Sequence, residues 1–300
     1  MVGVILGLAS AAAFGANSII ARRGTLRAGS NYIATITICS GPIFFFALAA
    51  VAGELQKLGD YSWQAYVFMA LSGVAHFALG RTWGYRCIEL IGSTRSTIVT
   101  GLSPIVTTVL AAIVLSETIT FVMLIGIVCT LGAPLLILRE QIVAAHLRPK
   151  AQDREILYKG VFYGVGAAIF WGSSPIFVKL GLENGGSPVA GSLIAYLAAL
   201  IAISPSAFLK KKNREDLLRG DRGALKLALL SGLSINIAQL LRYVALAFAS
   251  AIVVTLMLRT SPVWVLCFAF LFNRKEESFS FWVLLGNGLL LAGTLLIIFP

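Results

Sequence analysis

Ten apolar runs, each about as long as a bilayer is thick, account for most of this chain. They cover residues 2–20, 31–52, 64–84, 94–115, 119–138, 160–180, 188–208, 225–246, 250–272 and 279–299. A hydrocarbon core about 30 Å thick takes roughly 20 mostly apolar residues to cross as a helix. Inside it every backbone N–H and C=O must be satisfied, by a helix or by a closed barrel. Barrel strands would read as alternating segments of about ten residues; these runs are longer and continuous. They predict an all-α integral membrane protein of ten transmembrane helices. Only 12% of the 300 residues are charged and 58% are hydrophobic, against about 25% charged in soluble domains. That shortfall excludes a soluble globular protein, because most of the surface must face something other than water. The first run begins at Val2 without an A-x-A-type cleavage site, so it predicts a span and not a removed signal.

The net charge of +11 is distributed by connection. Connections after odd-numbered runs hold 17 basic residues, among them Arg23, Arg27, Arg86, Lys159, Lys210 and Arg274; those after even-numbered runs hold Lys57 alone. The positive-inside rule then puts the odd connections in the cytoplasm and both termini outside, in a plasma (bacterial inner) membrane. Basic side chains are not interleaved with aromatics on a solvated face, so no nucleic-acid partner is expected. Cys39, Cys87, Cys129 and Cys267 stand far apart, with no C-x-x-C and neither His76 nor His146 beside them. No metal, cofactor or disulfide framework is predicted. Nor is an enzyme: a phosphate loop with its lysine and a Ser/His/Asp set at membrane depth are both missing from the sequence.

The chain also repeats itself. GVILGLASAAAFGANSIIARRG (3–24) aligns with GVFYGVGAAIFWGSSPIFVKLG (160–181) at an offset of 157, matching Gly3, Gly7, Gly15 and Gly24 to Gly160, Gly164, Gly172 and Gly181. At an offset of 158, Tyr85 matches Tyr243, Thr97 matches Thr255, and Ser103-Pro104 matches Ser261-Pro262. This divides the chain into a five-helix repeat at 1–138, a charged linker at 139–159, and a second repeat at 160–300. Five is odd, so the second copy enters the membrane from the opposite side. Such inverted repeats place a substrate site at their interface, around a central cavity where interrupted helices meet. Pro104 and Pro262 are the expected hinges, since proline removes a backbone hydrogen bond and bends a helix. The G-x-x-x-G pairs Gly3/Gly7, Gly80/Gly84 and Gly160/Gly164 predict close helix packing.

The repeat with FG or WG near the end of its first helix, the segment LSPIVTTVLAAIVLSE (102–117), and the closing LLGNGLLLAGTLLI (284–297) resemble the EamA-type permeases of the drug/metabolite transporter superfamily. The resemblance runs through essentially the whole chain. It implies ten helices, a cavity lined by spans 1, 3, 4, 6, 8 and 9, and export or exchange of small metabolites such as amino acids. In the first copy Glu117 follows Pro104 by thirteen residues; in the second that place is Lys275. Related exporters of small cationic drugs rely on a glutamate in the first helix, where this chain has Asn17 and no acid. Proton-coupled export of hydrophobic cations is therefore not expected.

Polar residues at membrane depth are costly, so each is a candidate for function. All the acidic residues lie in connections or near span ends. Arg259 is the tenth residue of its run, about 14 Å from the start at 1.5 Å per residue. It either pairs with carbonyls freed by a proline or binds an anion, which a guanidinium grips bidentately. Arg81 and Arg242 lie within about one turn of span ends. Asn236, Gln239 and Tyr243 share one helix face, as do His76, Gly80 and Trp83. Ser174 follows Trp171-Gly172 in span six. The expected substrate-binding set is thus Asn17, His76, Trp83, Trp171, Ser174, Asn236, Gln239, Tyr243 and Arg259. The sequence predicts a monomeric permease in the lipid bilayer that exports or exchanges a small polar metabolite, an amino acid or organic acid, by alternating access. A facilitator for neutral metabolites, a divalent-cation carrier and a non-transporting receptor are the other readings.

Overall fold

The computed structural model describes residues 1–84, 86, 87, 90, 99–137, 151–208, 221–272 and 281–298. Tyr85, Arg95 and Thr97 and linker residues 139–150 lie outside that set. Among the described residues the secondary structure is helical throughout. The helices are α1 (Val2–Ala28), α2 (Ser30–Val51), α3 (Trp63–Gly73), α4 (Ser103–Val114), α5 (Phe121–Ile137) and α6 (Ala151–Glu183) in the first part of the chain. They continue as α7 (Pro188–Phe208), α8 (Arg222–Phe248), α9 (Ala251–Leu258), α10 (Ser261–Phe272) and α11 (Phe281–Ile298). Linker residues 151–159 are helical and form the first turns of α6. Among the described residues five helices are long and apolar enough to cross a membrane, while the segments around α4, α5, α9–α10 and α11 are shorter apolar helices.

Residues that cannot continue a helix mark its ends. Gly29 (φ +82°) turns the chain between α1 and α2, and Gly185 (φ +93°) does so after α6; both occupy a region that costs a residue with a Cβ. Ser62, Asp221 and Ser250 cap α3, α8 and α9 by accepting from the N–H of Ala65, Ala224 and Val253. Two glutamates cap helices far away in sequence. Glu117 accepts from Ala251 N–H at 2.5 Å and Ile252 N–H at 3.1 Å, at the head of α9. Glu54 accepts from Ala190 N–H at 3.1 Å and from the Ser187 hydroxyl, at the head of α7.

Two runs that read as continuous helices are interrupted. The run at 250–272 splits at Arg259-Thr260, with α9 ending at Leu258 and α10 beginning at Ser261. The run at 94–115 has a turn at Gly101-Leu102, at the same repeat position, before α4 begins at Ser103. Pro104 and Pro262 therefore stand in the first turn of a new helix, where a missing N–H costs nothing. In the third span α3 passes into a π-helical segment, Val74–Gly80.

The packing interchanges the two halves. α1 packs along α8 as α3 packs along α6, and α2 meets α8 as α7 meets α3. α4 meets α6 as α9 and α10 meet α1; α2 pairs with α7, α5 with α11, and α4 with α9. Glycines permit the close crossings. A Cβ on Gly15 would meet Trp264 and the Ser261 carbonyl, and one on its repeat mate Gly172 would meet the Ser103 carbonyl and Val106. The first helix of each repeat thus lies against the interrupted helix of the other.

The exterior is apolar, unlike that of a soluble domain. Large apolar side chains such as Ile5, Ile43, Phe46, Ile113, Val128, Phe162 and Ile201 are exposed. Ser10, Ser72, Ser174, Asn236, Gln239 and Arg242 are inside, together with the apolar core around Phe45, Met69, Phe77, Tyr196 and Leu246. An apolar exterior matched to lipid and a polar interior are what a bilayer demands.

Candidate functional site

One group of interior polar residues converges where α8 meets the π segment and α6. Gln239, Arg242 and Tyr243 share a face of α8, and all three are fully buried or nearly so. Across from them the π segment presents His76. Its Nδ1 lies 3.4 Å from Arg242 Nη1 and its Nε2 lies 3.3 Å from Gln239 Nε2. Arg242 Nη2 reaches Ser174 Oγ of α6 at 3.4 Å, and the guanidinium stands 5.2 Å from the centre of the Tyr243 ring. The Tyr243 hydroxyl pairs with Ser72 of α3 at 2.8 Å. Trp171 of α6 donates from Nε1 to the His76 carbonyl at 3.1 Å. Such π segments recur at functional sites; here one of its carbonyls also accepts from an indole N–H.

One wall of this cluster is aromatic. Tyr196 of α7 stacks on Phe77 with ring centres 4.2 Å apart and on Phe45 at 5.4 Å. Gly41 makes room for it, since a Cβ there would fall within 2.1 Å of the tyrosine ring. Arg81 lies 5.6 Å from the centre of the Phe77 ring and reaches Thr37 Oγ1 at 3.5 Å.

The structure divides the expected residues. His76, Trp171, Ser174, Gln239 and Tyr243 come together in one network. Asn17 lies in the seam between α1 and α8, where its Oδ1 accepts from Ser231 at 2.7 Å. Asn236 is buried one turn before Gln239 and donates to Ser40 at 3.2 Å. Trp83 sits among Phe162, Tyr163 and Phe170 and occupies the space left by Gly166. Arg259 meets neither a carboxylate nor a proline-freed carbonyl among the described residues; its Nη2 donates to the Ser103 hydroxyl. That bond joins the break in one repeat to the break in the other.

Arg242 is the central residue that sequence reasoning passed over. Its place within about a turn of the end of an apolar run left it outside the expected substrate-binding set. In the structure α8 runs on to Phe248 and Arg242 is 1% exposed. The signal available was its register: it follows Gln239 by three residues, on the polar face already noted.

The comparisons accord with this architecture. The model of the EamA-like transporter family matches residues 1–139 and again 158–299. The chain belongs to the EamA-like transporter family. It is thereby a member of the drug/metabolite transporter superfamily and an integral membrane protein. A protein of known crystal structure superposes with a TM-score of 0.78 at 11% identity, covering 99% of this chain and 97% of that one. At that identity the likeness shows a shared fold alone. No curated protein matches the chain. Among the described residues no group of three or more His, Cys, Asp and Glu side chains is placed to hold a metal ion.

Proposed function

We propose that this EamA-like transporter is a permease moving a small polar metabolite, an amino acid or an organic acid, in export or exchange by alternating access. Its ten spans would form two inverted five-helix repeats, with substrate bound where the π segment, α6 and α8 meet. The observation that carries the reading is the buried His76–Gln239–Arg242–Ser174 cluster, whose members come from both repeats. Groups held by one repeat alone would not sense its movement against the other. The matched interruptions before Ser103 and Ser261 support the same reading, because broken helices supply free backbone ends near a ligand.

A divalent-cation carrier is disfavoured because the described acids cap helices or lie at helix ends. Counterflow in proteoliposomes tests the proposal: labelled amino acids and organic acids are offered outside while unlabelled ones are loaded inside. Accumulation of one class, reduced at least tenfold by Gln239→Leu, is the expected result. Folded protein that accumulates none of them sinks the permease reading in favour of a non-transporting receptor.

A further inference from the structure

Among the described residues Arg242 has no counter-ion. Its two hydrogen bonds are long, 3.4 Å each, and both go to neutral acceptors. Its Nε is buried with no partner. A guanidinium has five N–H donors, and a bare charge in a low-dielectric interior is among the costliest groups a fold can hold.

The described acids are committed elsewhere. Glu54 and Glu117 cap α7 and α9, Asp221 pairs with Arg27, and Glu155 pairs with Lys159. Asp60 belongs to the connection before α3, and Glu183 is the last residue of α6. Arg81 adds a second positive charge beside Phe77, within electrostatic reach of His76 and Tyr196.

The neutral groups nearby are donors as well. With Nδ1 of His76 accepting from Arg242, the ring proton sits on Nε2, facing Gln239. Turning that amide over pairs its otherwise unpartnered Oε1 with the proton and leaves its NH2 free to donate. The Tyr196 hydroxyl is likewise buried and unpartnered.

We propose that Arg242 holds the anionic group of the substrate, assisted by Ser174, Gln239 and Tyr196, with Arg81 balancing further negative charge. The substrate is then a small organic anion bearing carboxylate or phosphate oxygens, and not a zwitterion, whose ammonium would find no carboxylate among the described residues of this cluster. Arg259, which donates to the Ser103 hydroxyl, is given no part in holding the anion here. This inference rests on the permease reading and narrows its substrate class.

The test is thermal melting of the purified full-length protein with lactate, succinate, inorganic phosphate, neutral succinamide and zwitterionic alanine. Succinate, lactate or phosphate should raise the melting temperature saturably, and which of them does so separates carboxylate from phosphate. Succinamide and alanine should leave it unchanged. Arg242→Gln should raise the half-saturating anion concentration at least tenfold, and Arg81→Gln severalfold; the second variant carries the test if the first does not fold. Stabilisation by alanine or succinamide as large as by succinate overturns the proposal. So does the absence of any anion effect, or wild-type anion binding by a folded variant. Counterflow separates the two readings: exchange of alanine without any anion removes this inference and leaves the permease standing, while no exchange at all removes both.

Discussion

Arg259 and Arg242 carry the same charge in comparably apolar runs, and their surroundings give them different work. Arg259 closes a turn and spends its guanidinium on Ser103, a neutral hydroxyl in the other repeat. Ser103→Ala removes that acceptor and leaves a half-buried charged donor short of a partner. The expected cost is about 1–3 kcal/mol, read as a lower melting temperature in detergent and largely restored in Ser103→Thr. A second residue-scale prediction concerns the Arg27–Asp221 pair, which ties the end of α1 to the head of α8. Hydrogen bonds from Arg27 and from the Ala224 N–H hold the Asp221 carboxyl below its usual 3.8. A depressed folded value means that the stabilisation is present above the unfolded value and is lost as pH falls through the folded one. Arg27→Gln should therefore melt below wild type at pH 7, with the gap closing as melting is repeated at pH values below 3.8. A gap that stays constant with pH would refute the assignment.

Helix packing sets the predictions at the scale of elements. A Cβ on Gly73 would fall 1.9 Å from the Ala195 carbonyl oxygen, which is backbone and cannot step aside. Gly73→Ala should force α3 and α7 apart and cost at least the roughly 1–3 kcal/mol typical of overpacking, read as a melting temperature lower by several degrees. Gly288→Ala, with open space around it, should be neutral in the same assay. Glu117 caps α9 from the other repeat, so Glu117→Gln should destabilise by about 1 kcal/mol. A wild-type melting curve for that variant would show that the cap contributes nothing.

The whole molecule is two halves that exchange partners: each repeat places its first helix against the interrupted helix of the other. Separated halves would leave glycine seams and buried polar groups facing lipid, so repeats expressed alone should not fold. Co-expression of residues 1–138 with residues 139–300 should restore a protein of wild-type mobility on size-exclusion chromatography; independent folding of either half would contradict the interlocked packing. Orientation belongs to this scale too. The excess of basic residues in odd-numbered connections predicts an extracytoplasmic signal from a reporter fused to the C-terminus, and a cytoplasmic signal would reverse the assignment.

The ten apolar runs, the repeat, the Ser-Pro positions and the family were legible in the sequence because each depends on local properties. Length and hydropathy set what can cross a bilayer, and a constant offset reveals duplication. The face shared by Gln239 and Tyr243 was legible for the same reason, since helical periodicity puts residues three and four apart on one side. What the sequence could not supply is which faces meet. Whether a polar side chain touches a partner, a carbonyl or nothing depends on residues more than 150 positions away, as with His76 and Arg242. Chain position made Arg259 the deep charge and Arg242 the peripheral one; the continuation of α8 to Phe248, and the helices packed around it, buried Arg242. The sequence determined that the charges lie within a membrane protein built twice from one plan, and only the tertiary structure decided which charge was buried among neutral partners at the contact between the repeats.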